Sequence, residues 1–587
     1  MTLKTAYLIL LLSGISFTAA AQPILVTAFG AKPGSGKDAV PAIRRALAAC
    51  KGRKSPVLVF PKGRYDLYPD SADRREYFLS NTSSEAECPS KWKTIGILLE
   101  GMEGLRIEGE GSLLLYHGKM ISFAMDHCSG VVIHHLEIDY ARPTMSEFAI
   151  TRSSRDEVEV RVHPDSWYKL DNGRLVWYGE GWVARDAFCI RVDTLTHAFY
   201  YANDAYGRLA TSSVTELAPG RLRFSGEFDP GLYPAGSVFT VRDPVRDEVG
   251  ALILNSKGVT LHRMGMHYMH GLGILSQYSE NITMDSVFVE PRKGSGRYIA
   301  SFADGMHFSG CRGAIRIEHC RFDGLHDDAV NVHGTHLKIV RAPSGSELVV
   351  RFMHAQTYGF RAFFDGDSMA FVRPGTLECY AYGKVVHAER LSDREIRLRL
   401  AGTIPATVSE GDVVENLTWT PSLTIRHSFF GGTNTRGVLV TTRRKVVIED
   451  NEFYRLGMHA ILIADDALSW FESGEVRDVL IRRNIFRENG HNALPGNYVI
   501  AIAPENHELT AVPVHRNIRI DSNRFYCYDA PVLSARSVEG LSFTNNIVTY
   551  TPPFDKGLKL DTSLSCLRLV SCSKVIMTNN RIDPVFH

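Results

Sequence analysis

Three aspartates carry the chemistry this sequence offers. Asp304 stands in Ser301-Phe302-Ala303-Asp304-Gly305-Met306-His307-Phe308. Asp327 and Asp328 stand in Asp323-Gly324-Leu325-His326-Asp327-Asp328-Ala329-Val330-Asn331-Val332-His333-Gly334. A strand-like apolar run, Cys311 to Phe322, separates these two acidic turns. Asp304 and Asp327 lie 23 residues apart, about one coil of a parallel β-solenoid, which predicts three carboxylates on one face. Hydrolysis of a glycosidic bond needs a protonated acid at the leaving oxygen and a carboxylate that attacks or activates water. Carboxylates held close together resist full ionisation, so one keeps its proton near neutral pH. Adjacent strands about 4.8 Å apart let neighbouring and diagonal carboxylates span the roughly 6.5–9.5 Å of an inverting pair. A lone Asp-Asp is ordinarily a strand cap or a calcium ligand. The third aspartate one coil away turns the reading toward a glycoside hydrolase.

The elements that must position these residues are repeats. A pattern of apolar-x-apolar, a variable turn often carrying Asn, and a further apolar position begins near residue 95. It recurs as VVIHHLEI (131–138), VTLHRMGM (259–266), ITMDSVFV (282–289), IRIEHCRF (315–322) and LTIRHSFF (423–430). It continues as VVIEDNEF (446–453), VLIRRNIF (479–486), IRIDSNRF (518–525) and VIMTNNRI (575–582). Period-two alternation marks strands, and stacked coils make one continuous core. Asn451, Asn484, Asn523 and Asn580 suit tight bends, since Asn tolerates left-handed backbone. The fold class expected is all-β: a right-handed parallel β-helix with two inserted antiparallel β-barrel-like modules. Leucine-rich repeats fit less well, because their Leu spacing and alternating helices are missing.

The domain reading follows. Residues 1–21 read as a signal peptide, with Lys4, the apolar run Ala6 to Leu12 and the small residues Ala19-Ala20-Ala21 before Gln22. The apolar run is shorter than the roughly 20 residues of a membrane span, and no Cys follows the cleavage site. An exported, soluble protein is expected, periplasmic or extracellular, with no membrane span. Residues 22–138 form an N-terminal cap and the first coils, with Asp38 capping a helix from Ala39 to Cys50. Residues 139–250 form an inserted β module, 251–334 the coils bearing the aspartates, 335–420 a second inserted module, and 421–587 the last coils. The cap covers an apolar coil end that would otherwise lie open.

Composition narrows the partners. The 587 residues carry a formal net charge of +1, without the basic excess of a nucleic-acid binder. The same neutrality weighs against a strongly anionic polysaccharide as substrate. There is no CxxC motif among the ten cysteines, so no zinc site is expected, and the disulfide pairing stays open.

Asp304-Gly305 followed by Asp327-Asp328 resembles the acidic trio of polygalacturonase-type β-helix hydrolases. The longer segment His326-Asp327-Asp328-Ala329-Val330-Asn331-Val332-His333-Gly334 resembles glycoside hydrolase family 110 over nearly the whole mature chain. That resemblance implies an inverting exo-α-1,3-galactosidase, some relatives of which remove the terminal galactose of the blood group B antigen. The polygalacturonase likeness implies Asp327 as general acid, with Asp304 and Asp328 holding and deprotonating water. No cofactor is implied, and the partner is an oligosaccharide or glycoconjugate. His307, His326, Asn331 and His333 are expected near the sugar hydroxyls, with Arg436 and Asp465 as further substrate-binding positions on later coils. His307 and His333 lack a third partner of metal-ligand spacing, so no metal is expected. Asp465-Asp466 is an acidic pair with no Asp-Gly turn one coil before it, and Trp470 and Phe471 read as core more readily than as a sugar platform. A polyuronate hydrolase of the same fold would need Arg and Lys around the trio. A non-catalytic carbohydrate-binding β-helix would not gather three acids.

Overall fold

A computed structural model describes residues 22–184, 187–492, 497–529, 531–558, 560 and 564–583. The expected signal peptide lies outside these residues. The frame is a β-helix whose strands form a continuous, almost wholly parallel sheet. Its register follows the repeat: Val259 faces Ile282, Ile282 faces Ile315, Ile315 faces Leu423, and Leu423 faces Val446. The row runs on through Val479, Ile518 and Leu541. In many of the strands alternate residues are buried, so the period-two pattern becomes a single axial core. Phe322, Phe430, Phe453, Phe486 and Phe525 stack down that core with centroids 4.7–5.0 Å apart. One coil escapes the repeat reading: Leu541-Ser542-Phe543-Thr544-Asn545-Asn546-Ile547-Val548 continues a twelve-residue strand, Leu533–Thr544.

The repeated asparagines do a different job from the one their type suggested. The left-handed residue of each bend is the one before: Asp450, Arg483, Ser522 and Asn579 have φ between 54° and 58°. The asparagines themselves form a ladder, buried at Asn451, Asn484 and Asn523. Asn484 Oδ1 accepts from Asn451 N and Asn451 Nδ2, each at 3.0 Å, and Asn523 Oδ1 accepts from Asn484 N and Nδ2 at the same distance. Asn523 hands on to Asn546, and Asn546 to Asn580. A side-chain amide has both a donor and an acceptor, so one residue per coil satisfies the backbone above and joins the rung below. Asn484→Ala orphans the buried Asn451 amide and takes two donors from its neighbours. A loss of about 1–3 kcal/mol per orphaned group is expected, read as a lower urea midpoint at unchanged slope.

Two modules interrupt the helix without breaking its stack. The first lies between the strands Val132–Tyr140 and Ala251–Leu254. It is a seven-stranded antiparallel sheet with a three-stranded sheet and the helix Asn203–Thr211, packed on its own core of Phe148, Trp177, Tyr233 and Phe239. The second, from Leu337 to Asn416, closes into a six-stranded barrel. Each inserts between coils that still pair, since Leu261 faces Ile133 and Ile315 faces Leu423. An insertion at a coil's edge costs loop closure only, which grows slowly with length. At the N-terminal end the helix Val40–Cys50 buries Ala42, Ile43, Ala46 and Leu47 over the first coil, and Asp38 Oδ1 accepts from Val40 N at 3.0 Å. The ten cysteines are free thiols.

Candidate active site

The strands Met306–Ser309, Val330–Thr335 and Val438–Val440 are parallel neighbours, with Met306 facing Val330 and Val330 facing Val438. The coil is therefore 24 residues here, not 23, and the row of equivalent positions runs Asp304, Asp328, Arg436. Gly305 N donates to Asp328 O and Ala329 N to Arg436 O, which fixes that row through the backbone. Asp327 stands beside the row. Gly305 is required by this closeness: a Cβ there would lie 2.6 Å from Ala329 O.

The three carboxyls have unlike surroundings. Asp328 is buried, and its Oδ1 accepts from Arg436 Nε at 2.8 Å and Arg436 N at 3.2 Å. Burial pushes its carboxyl up to about 6, against the pull of Arg436 and with a further push from Asp327. Asp304 is also buried; its Oδ2 lies 2.8 Å from His307 Nδ1. Burial first, then the charges of Asp327 and Asp328, raise it well above the usual carboxylate range. Asp327 is the accessible member, its side chain 26% exposed against 5% for Asp304 and 3% for Asp328. Its Oδ1 accepts from Asp328 N at 3.1 Å and its Oδ2 from Arg246 Nη1 at 3.3 Å.

The trio lines a small pocket with Asn331, Arg436, Glu472 and Trp470. A larger cavity of about 740 Å³ lies between the first module and the last coils, away from the trio.

The comparisons with known proteins come down on one family. Over 535 residues the chain is 49% identical to Alpha-1,3-galactosidase A of Bacteroides fragilis (strain YCH46), covering 90% of this chain and 88% of that one. The chain belongs to the alpha-1,3-galactosidase A/B family, glycoside hydrolase family 110. It is 38% identical over 561 residues to Alpha-1,3-galactosidase A of Bacteroides thetaiotaomicron, covering 94% and 95% of the two chains. Residues 146–239 match GLAA-B beta-barrel domain I and residues 347–414 match GLAA-B beta-barrel domain II. Among solved structures, the family 28 exopolygalacturonase of Yersinia enterocolitica aligns with 95% of this chain and 78% of its own, at 11% identity and a TM-score of 0.38.

In this member of the alpha-1,3-galactosidase family, four expected contacts change. His326 points away from the pocket: it is buried, its Nε2 is 2.7 Å from Thr240 Oγ1 and its ring edges onto Phe188, so it binds the first module to the helix. Asp465 is buried among Glu415, Glu475 and Arg443, with His336 at 3.9 Å, and does not reach the pocket. His307 reaches the pocket wall, but both ring nitrogens are taken, by Asp304 and by His333. His333 lies behind it, fully buried, and meets no sugar-sized space. Asn331 lines the pocket, and its buried Oδ1 has no hydrogen-bond partner among the described residues. Arg436 lines the pocket with its Nε on Asp328.

Trp470 is not core. It is 43% exposed, lines the pocket and stacks on His354 at 4.2 Å. Asp466 presents it, accepting from the backbone amides of Leu468, Ser469 and Phe471 and so shaping the turn. Arg246, Asn81 and Glu472 also line the wall, with Leu272 and Leu439, and the sequence reading did not find them. Arg246 ends the first module, Asn81 sits in a loop before the repeats begin, and Glu472 follows Trp470. No spacing rule links such positions to the trio.

Proposed function

We propose that this protein is an exported, inverting exo-α-1,3-galactosidase that removes terminal galactose from glycans such as the blood group B antigen. The observation that carries the reading is the trio itself: two buried carboxyls stacked on neighbouring coils, beside a third that faces the pocket. Asp327, the accessible one, protonates the leaving oxygen. Asp304 and Asp328 hold a water and take its proton. Family membership supports the substrate, because the relatives are named for α-1,3-linked galactose. A small pocket lined by Trp470, Arg246 and Glu472 beside the trio supports removal of one terminal sugar. The basic n-region, apolar run and Ala19-Ala20-Ala21 support export. A polyuronate substrate is disfavoured, since Arg246 and Arg436 in the wall are each already bound to a trio aspartate.

The test is proton NMR of the sugar first released from a blood group B trisaccharide. Inversion of an α-linkage delivers β-galactose before mutarotation. Release of α-galactose rejects inversion, and cleavage of polygalacturonate in place of the trisaccharide rejects the substrate class.

A further inference from the structure

Asp304 poses a problem for a base. Its carboxyl is buried and flanked by Asp327 and Asp328, conditions that keep a proton on it. A base that already holds a proton accepts another only if the first can leave. We propose that His307 and His333 are positioning residues that take this proton, so that Asp304 can deprotonate the attacking water. The inference rests on the assignment of Asp327 as acid and of Asp304 with Asp328 as water-activating residues.

The hydrogen bonds fix where protons lie. Gly334 O can only accept, so His333 Nδ1, 2.7 Å away, donates to it. A neutral His333 then has a bare Nε2, which lies 2.7 Å from His307 Nε2. His307 therefore donates from Nε2. A neutral His307 in turn has a bare Nδ1, which lies 2.8 Å from Asp304 Oδ2. Neither contact is short without a proton in it. The row Asp304–His307–His333–Gly334 thus holds one mobile proton. It sits on Asp304 Oδ2 beside two neutral rings, on His307 Nδ1 beside a carboxylate, or, once His307 passes its Nε2 proton on, at His333. The row is neutral in all three forms.

The charged groups facing this row are few. Asp327, Asp328, Arg246 and Glu472 act on Asp304, and Arg246 acts on His307. Glu472 Oε1 lies 3.6 Å from His333 Nε2 and accepts from Asn81 Nδ2. Arg436 is held by Asp328. Burial disfavours a cationic His307 at rest. During hydrolysis Asp327 gives its proton to the glycosidic oxygen and becomes a carboxylate. Water oxygen bonds to the anomeric carbon, and one water proton goes to Asp304 Oδ1 as the Oδ2 proton moves to His307 Nδ1. The relay gains one positive charge while Asp327 gains one negative charge, so the pocket's charge is unchanged. Solvent then takes the relay's extra proton and restores that of Asp327.

His307→Gln is the main test, since its amide can still hydrogen-bond Asp304 and takes up no proton. The expected result is a fall in kcat of about 10²-fold with KM within about twofold. The acid limb of kcat/KM moves up by about one pH unit or more, because Asp304 must now be ionised outright. His333→Gln, which keeps an acceptor for His307 Nε2, retains the wild-type limb; His333→Leu moves it. A merely structural role would lower activity or melting temperature and leave the limb in place, and that outcome overturns the proposal. Nitrogen-15 NMR of histidine-labelled wild type reads the tautomers without turnover. His333 protonated at Nδ1 and His307 at Nε2 supports the relay, and His333 protonated at Nε2 overturns it. Failure of the acid and base roles would show separately, as full activity of Asp327→Asn on a natural galactoside.

Discussion

Asp327→Asn is expected to cut kcat on a natural α-1,3-galactoside by about 10²–10⁴-fold, the usual contribution of a general acid. The expectation follows from where Asp327 stands. It is the accessible carboxyl of three, faces the pocket, and is tethered by Arg246 Nη1 and the Asp328 amide. Asparagine keeps the shape and the amide contact and has no proton to give. The diagnostic is the leaving group. A 2,4-dinitrophenyl galactoside departs without protonation, so the variant should lose far less activity on it. Asp304→Asn should show the opposite pattern, with comparable losses on both substrates, because every leaving group needs activated water. An Asp327→Asn variant equally crippled on both substrates would move the acid role to another carboxyl. Stability should change little, since the side chain is partly in solvent.

Arg436→Met is expected to give the second large effect, on folding and activity together. Arg436 Nε is the charged side-chain partner, beside Thr435, of a carboxyl that is buried. Asp328 already has its carboxyl raised to about 6 from an ordinary value of 3.8. A group raised on folding favours the native state below its unfolded value, and this contribution falls as pH climbs from about 3.8 through about 6. Without Arg436 the carboxyl rises further, so the loss of stability continues to higher pH. Wild type and variant should therefore melt at similar temperatures near pH 4, where Asp328 is neutral in both. They should diverge above pH 6, up to about the 3–5 kcal/mol cost of an uncompensated buried charge. At neutral pH Asp328 in the variant also keeps its proton and no longer helps to deprotonate water, so kcat falls. Calorimetry from pH 4 to 8 checks the sign; a stability gap that is widest at acid pH would refute it.

Much of this protein was legible in its sequence, for reasons that can be named. Alternating apolar positions at coil-length intervals admit only stacked parallel strands, and the register Val259–Ile282–Ile315–Leu423 follows the repeat position by position. The loss of that pattern on either side marks the two inserted modules. The trio was legible because Asp304 and Asp327-Asp328 recur at one coil's spacing. The asparagine ladder was half legible: the residues stood out, but their type suggested a bend, and only the coordinates show that the bend falls one residue earlier.

The sequence by itself determined the coils, the place of the insertions and which three carboxyls share a face. These are properties of periodicity, and a period can be counted. Tertiary structure alone decided that Asp304 stacks on Asp328 and Arg436 while Asp327 looks into the pocket, because a one-residue change in register exchanges partners along a row. It also decided that His326 and Asp465 turn away, that Trp470 comes to the wall, and that Arg246 and Asn81 arrive from segments far off in the chain. Such contacts depend on where an inserted module comes to rest against the helix, and no local pattern encodes the meeting of two surfaces.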